Sequence, residues 1–135
     1  MSATVIIPTT GSPELRKAID SVLKQTYPTT CYVVSDGLKN HSKTRMIVDD
    51  FPAKHIEKCY LPLNVGANGF YGHRIYAAFT HLIETDYVLY LDQDCWLEPN
   101  HVQSCIEKIE IDKKDWSYSL QIGRASCRER VCQYV

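Results

Sequence analysis

Short apolar runs alternate along this chain with stretches of helical spacing, and that alternation constrains the fold more than any other feature. Thr4–Pro8 (TVIIP), Cys31–Ser35 (CYVVS) and Tyr87–Leu91 (YVLYL) are rich in β-branched or aromatic residues and have the length of buried strands. Ile56–Leu61 reads as a further strand, and Trp116–Leu120 as the start of another. Between the first two runs, Leu15, Ala18, Ile19, Val22 and Leu23 recur at helical spacing, predicting a helix over 13–26 with Ser12 as cap and Pro13 as first residue. A weaker helical pattern covers 42–51, with Met46, Ile47 and Phe51 facing inward. Another covers 73–85 through Ile75, Ala78, Phe79, Leu82 and Ile83, and one after Pro99 uses Val102, Ile106 and Ile109. The resulting order β-α-β-α-β-α-β-α-β predicts an α/β fold: a mainly parallel sheet with helices on both faces. Ligands of such sheets sit beyond the carboxyl ends of the strands.

Length and charge narrow the function classes. With 135 residues the chain is one domain or a piece of a larger one. Its net charge of −1 gives no basic surface for nucleic acid or anionic lipid. No apolar run approaches the roughly 20 residues of a membrane helix, and MSATVIIPTT lacks the pattern of a signal peptide. A cytoplasmic location is therefore expected, with membrane association left open for a longer parent protein. The cysteines Cys31, Cys59, Cys95 and Cys105 are scattered without CxxC or His-Cys spacing, so neither zinc nor a disulfide framework is expected. Cys127 and Cys132 lie in a segment of different character. Residues 122–135 lack helical or strand periodicity, and Ile122–Val131 (IGRASCRERV) resembles a translated sequencing adapter. The fold is accordingly expected to be carried by residues 1–121, a partial domain, with 122–135 a non-native tail.

The strand Tyr87–Leu91 runs straight into Asp92 and Asp94, and a buried strand is a costly place to end in two carboxylates. Residues two apart on extended chain project to one side. Paired carboxylates at a ligand-binding edge suit a hard divalent cation, though an acidic turn in solvent has the same sequence. Asp36 stands at the end of CYVVS in the same way, and Asp36-Gly37 also reads as a plain turn. Asn64–Gly72 (NVGANGFYG) is a glycine-rich loop, and His73-Arg74 follow it at a helix start.

Taken in order, these elements resemble the nucleotide-binding half of inverting family 2 glycosyltransferases of the GT-A fold, a Rossmann-like architecture. The resemblance spans about Thr4 to Asn100. It rests on TVIIPTTGSPELRKAIDSVLKQTYP with its SVLxQTYP ending, on CYVVSDG, on NVGANGFYGHR, and on YVLYLDQDCWLEPN with its DxD. It implies transfer of a sugar from a nucleoside diphosphate sugar, with uridine the usual base, to a hydroxyl of a glycan or other acceptor. By the same resemblance Asp36 accepts an N–H of the base, and Pro8 and Thr9 lie along base and ribose. Asn64, Gly66 and Gln93 line the donor, and Arg74 faces donor or diphosphate. Asp92 sits near the ribose and the metal's water shell, and Asp94 ligates Mg²⁺ or Mn²⁺.

Three departures matter. Ser35 replaces an acidic residue expected before Asp36, and His73 an alanine expected before Arg74. The chain also ends before the position of the family's catalytic base, so no base is assigned. Two other readings fit the same residues: a nucleotide-binding module without catalysis, and a DxD phosphotransferase or phosphatase. The latter usually carries its pair on the first strand, whereas this pair ends a late one.

Overall fold

The computed structural model of the chain describes residues 1–119 and 130–134. Four parallel strands, β1 (Ala3–Thr9), β2 (Thr29–Asp36), β3 (Ile56–Leu61) and β4 (Tyr87–Tyr90), alternate with α1 (Leu15–Leu23), α2 (His41–Val48) and α3 (His73–Thr80). After them come α4 (His101–Asp112), β5 (Trp116–Ser119) and β6 (Arg130–Tyr134), and β6 pairs antiparallel with both β4 and β5. The sheet order among the described residues is β3-β2-β1-β4-β6-β5. The chain steps outward from β1 through β2 to β3, then returns to place β4 on the other side of β1. That reversal makes the carboxyl ends of β1 and β4 the topological switch point, where open α/β sheets bind ligands.

The period of two along β1 explains why its run is apolar throughout. Val5 and Ile7 point into a cluster with Leu15, Ala18, Ile19 and Val22 of α1, Ile47 and Val48 of α2, and Val102, Ile106 and Ile109 of α4. Ile6 points the other way, to Val34, Val88, Ile75 and Phe79. Three helices thus cover one face and α3 covers the other, so a central strand has no solvated side.

The elements depart from expectation mainly at their ends. Pro13 and Glu14 form a turn closed by the Leu15 N–H on the Ser12 carbonyl, so α1 starts two residues later than its cap signal suggests. Met46 is exposed, because α2 turns Thr44, Ile47 and Val48 inward. Ala78 is exposed, and α3 stops at Thr80, which leaves Leu82 in solvent. The strand expected over 116–120 spans Trp116–Ser119, residue 120 lying outside the described set. Most of the expected tail also lies outside it, but Arg130–Tyr134 (RVCQY) is a strand despite its lack of alternation. Backbone pairing on both edges, not an amphipathic pattern, defines that strand. No helix among the described residues is long and apolar enough to cross a membrane.

Ile75 fastens α3 to the sheet and is 1% exposed. We expect Ile75→Ala to cost about 2–4 kcal/mol through lost burial and the cavity left behind, measured as a lowered midpoint in urea unfolding with an unchanged slope.

Candidate donor site

A cavity of about 840 Å³ opens at the switch point. Pro8 and Thr9 reach it from the end of β1, and Asp36 from the end of β2. Asn64 and Gly66 come from the glycine-rich loop, and Asp92, Gln93 and Asp94 from the segment after β4. Of the residues expected at the site, all but Arg74 line this one cavity.

Asp36 is 3% exposed, and a buried carboxylate needs partners. It has them: Oδ1 accepts the Val65 N–H at 2.7 Å and Oδ2 the Gly66 N–H at 2.8 Å. These charge-assisted bonds tie the loop to the tip of β2. Behind the carboxylate, the Asn40 side-chain amide donates to the Asp36 carbonyl at 2.7 Å, closing the turn that begins at Gly37 with φ +95°. Ser35, where an acid was expected, points away from the cavity. It is fully buried, its hydroxyl 2.8 Å from His41 Nδ1 and 3.2 Å from Thr44 Oγ1. A charged side chain there would have no water, so serine suits the position.

Glycine is required in the loop by close approach. A Cβ on Gly66 would lie 2.4 Å from the Tyr71 carbonyl oxygen and 2.7 Å from Asp36 Oδ2, and one on Gly72 would lie 2.9 Å from Pro8 Cγ. The loop is thereby pressed onto β1 and β2 together.

Beyond β4 the chain does not stay extended. The Cys95 N–H donates to the Asp92 carbonyl at 3.0 Å, so Asp92–Cys95 is a turn, and it is this turn that brings the carboxylates together rather than strand alternation. Oxygens of Asp92 and Asp94 and the Cys95 sulfur lie within 4.8 Å of one another. Cys95 belongs to a disulfide, contrary to the expectation from cysteine spacing, since scatter along the sequence does not decide what a fold brings together. Its sulfur is therefore no thiolate ligand. Two exposed carboxylates remain, a hard oxygen donor set that fits Mg²⁺ or Mn²⁺ with water completing the shell.

Gln93, between the two aspartates, lines the same cavity but is bonded to the end of β1. Its Oε1 accepts from Thr9 Oγ1 at 2.7 Å and from the Thr10 N–H at 3.1 Å, and its Nε2 donates to Thr10 Oγ1 at 3.2 Å. It joins the end of β1 to the DxD turn. Arg74 is not brought into the cavity: its guanidinium lies 3.4 Å over the Phe70 ring, a cation–π contact that an exposed arginine beside an aromatic readily makes.

Residue-type reasoning missed Tyr76 and Tyr90, which both line the cavity. The Tyr76 hydroxyl donates to Asp92 Oδ1 at 2.7 Å. Burial, and then the Asp92 charge, push that phenol well above its ordinary value, so it acts as a donor. A signal existed: Tyr90 shares a strand face with Val88, and α3, which carries Tyr76, covers that face.

The glycosyl transferase family 2 model matches residues 4–127, and the chain belongs to that family. The fold is that of GT-A glycosyltransferases. It superposes on Staphylococcus aureus TarS (residues 1–349) in complex with UDP with a TM-score of 0.73 at 21% identity, covering 95% of this chain and 38% of that one. The galactosyltransferase LgtC in complex with donor and acceptor sugar analogs gives 0.63 at 13% identity, covering 99% and 58%. The mannosyltransferase PcManGT from Pyrobaculum calidifontis, in complex with GDP-Man and Mn²⁺, gives 0.53 at 22% identity, covering 70% and 28%. The chain thus spans less than two thirds of the length of these proteins. No curated protein matches it.

Because the Gly66 Cβ position is filled by backbone and by Asp36, Gly66→Ala should force the loop off β2. We expect a loss of about 1–3 kcal/mol, the usual cost of overpacking, seen as a lower thermal midpoint. Loop amides Val65 and Gly66 should lose hydrogen-exchange protection in the same variant.

Proposed function

We propose that this chain is the donor-binding part of a metal-dependent glycosyltransferase. It would move a sugar from a nucleoside diphosphate sugar, UDP-linked, to a hydroxyl of a glycan or other acceptor with inversion. One observation carries the reading: residues from four separate sequence elements, Pro8-Thr9, Asp36, Asn64-Gly66 and Asp92–Asp94, line a single cavity at the switch point. Membership of the family supports it, as do the UDP and the GDP-Man with Mn²⁺ held by proteins of the same fold.

In this reading Pro8 and Thr9 flank base and ribose. Asp36 accepts an N–H of the base with lone pairs left over, since a carboxylate has about four acceptor sites and two are used by the loop. Gln93 shapes the same edge through Thr9 and Thr10. Asp92 and Asp94 would hold the divalent ion, which when bound neutralises charge on the departing diphosphate. Inversion needs a general base opposite the leaving group, and no residue of this chain is given that role.

A thermal-shift panel with UDP, GDP, dTDP and CMP, each with and without Mn²⁺, tests the assignment. A ligand of the folded state alone stabilises by about 2.7 kcal/mol at a hundredfold excess over its Kd. The expected result is a shift for UDP that needs Mn²⁺ and is lost in Asp94→Asn, a variant that melts normally without ligand. An equal UDP shift in EDTA, or in Asp94→Asn with Mn²⁺, would refute the metal assignment.

A further inference from the structure

We propose that Tyr76 is a positioning residue that restricts Asp92 to one-oxygen ligation and so tunes the site to Mg²⁺ or Mn²⁺ against Ca²⁺. The inference rests on the metal-binding reading of Asp92 and Asp94. The Tyr76 hydroxyl donates to Asp92 Oδ1 at 2.7 Å, which fixes the rotation of the carboxylate and leaves Oδ2 without that restraint. The phenol cannot easily follow if the carboxylate turns. Its ring packs against Tyr90 with centroids 4.8 Å apart. Thr80 Oγ1 donates to the Tyr76 carbonyl at 2.6 Å and lies 2.7 Å from the Tyr90 hydroxyl. Ile75 and Phe79, on either side of Tyr76 in α3, are buried against the sheet. The donor therefore stands on a rigid helix, the kind of support that holds a ligand in one geometry.

Cation preference follows from that geometry. Ca²⁺ gathers six to eight oxygens at roughly 2.3–2.6 Å and commonly takes a carboxylate through both oxygens. Mg²⁺ keeps a near-octahedral shell at roughly 2.0–2.1 Å, with few carboxylates and several waters. A carboxylate with one oxygen engaged by a phenol suits the second pattern and resists the first. Removing the hydroxyl frees the carboxylate to swing and chelate.

The experiment is calorimetric titration of UDP into wild type and Tyr76→Phe, each in Mn²⁺, Ca²⁺ or EDTA. The variant keeps the ring and its packing, and an unchanged thermal midpoint without ligand checks this. In wild type UDP should bind more tightly with Mn²⁺ than with Ca²⁺. In the variant the ratio of the two Kd values should fall by about tenfold, the lower end of what loss of a hydrogen bond to a metal ligand causes. A ratio unchanged within about twofold, with Mn²⁺-dependent binding intact, overturns the role of Tyr76 alone. Wild-type binding that is the same in EDTA overturns the metal reading beneath it, and the inference with it.

Discussion

One buried carboxylate keeps the cavity at the switch point in shape. Asp36 meets two consecutive loop amides, and the loop it holds has no helix or strand of its own. That loop passes through left-handed backbone at Asn68, Gly69 and Tyr71. For the two residues with side chains this path costs energy, of the order of 1–3 kcal/mol each, and it persists where the surroundings over-determine it. The Asp36 bonds supply part of that determination, and the close packing of Gly66 and Gly72 supplies the rest. The same carboxylate thus holds the loop on one side and lines the cavity on the other.

The second fastening runs across the switch point. Gln93 closes on Thr9 and Thr10 and lines the cavity together with its neighbours Asp92 and Asp94. The central residue of the DxD therefore ties the turn after β4 to the end of β1. A glutamine does this well because its amide accepts and donates at once.

Much of this was legible in the sequence. The β-α alternation gave the layers and the parallel order, because each apolar run was too uniform to have a wet face. Asp36, Asp92 and Asp94 stood out because acids at the ends of such runs are costly without a purpose. Other features were hidden for physical reasons. The Asp92–Cys95 turn depends on a backbone hydrogen bond that no residue type signals. Arg74 looked like a phosphate ligand because charge and position are visible in sequence, whereas its stacking on Phe70 is a matter of rotamer. Tyr76 carries no signal of its own in the sequence, and its bond to Asp92 appears only when α3 is laid across the end of β4. The strand Arg130–Tyr134 escaped notice because it is defined by pairing on both edges.

The site's geometry also sets an order of assembly. Thr9 and Gln93 are 84 positions apart, and β1 meets β4 across the same span. Closing so long a loop is entropically expensive, and pairings of this kind form late and slowly. As the chain leaves the ribosome, β1 and β2 can pair well before β4 exists, so the edge of β1 that later receives β4 is exposed in the meantime. The cavity comes into being at the moment that edge is covered. A complete cavity is then a report that the central strand has found its last parallel neighbour.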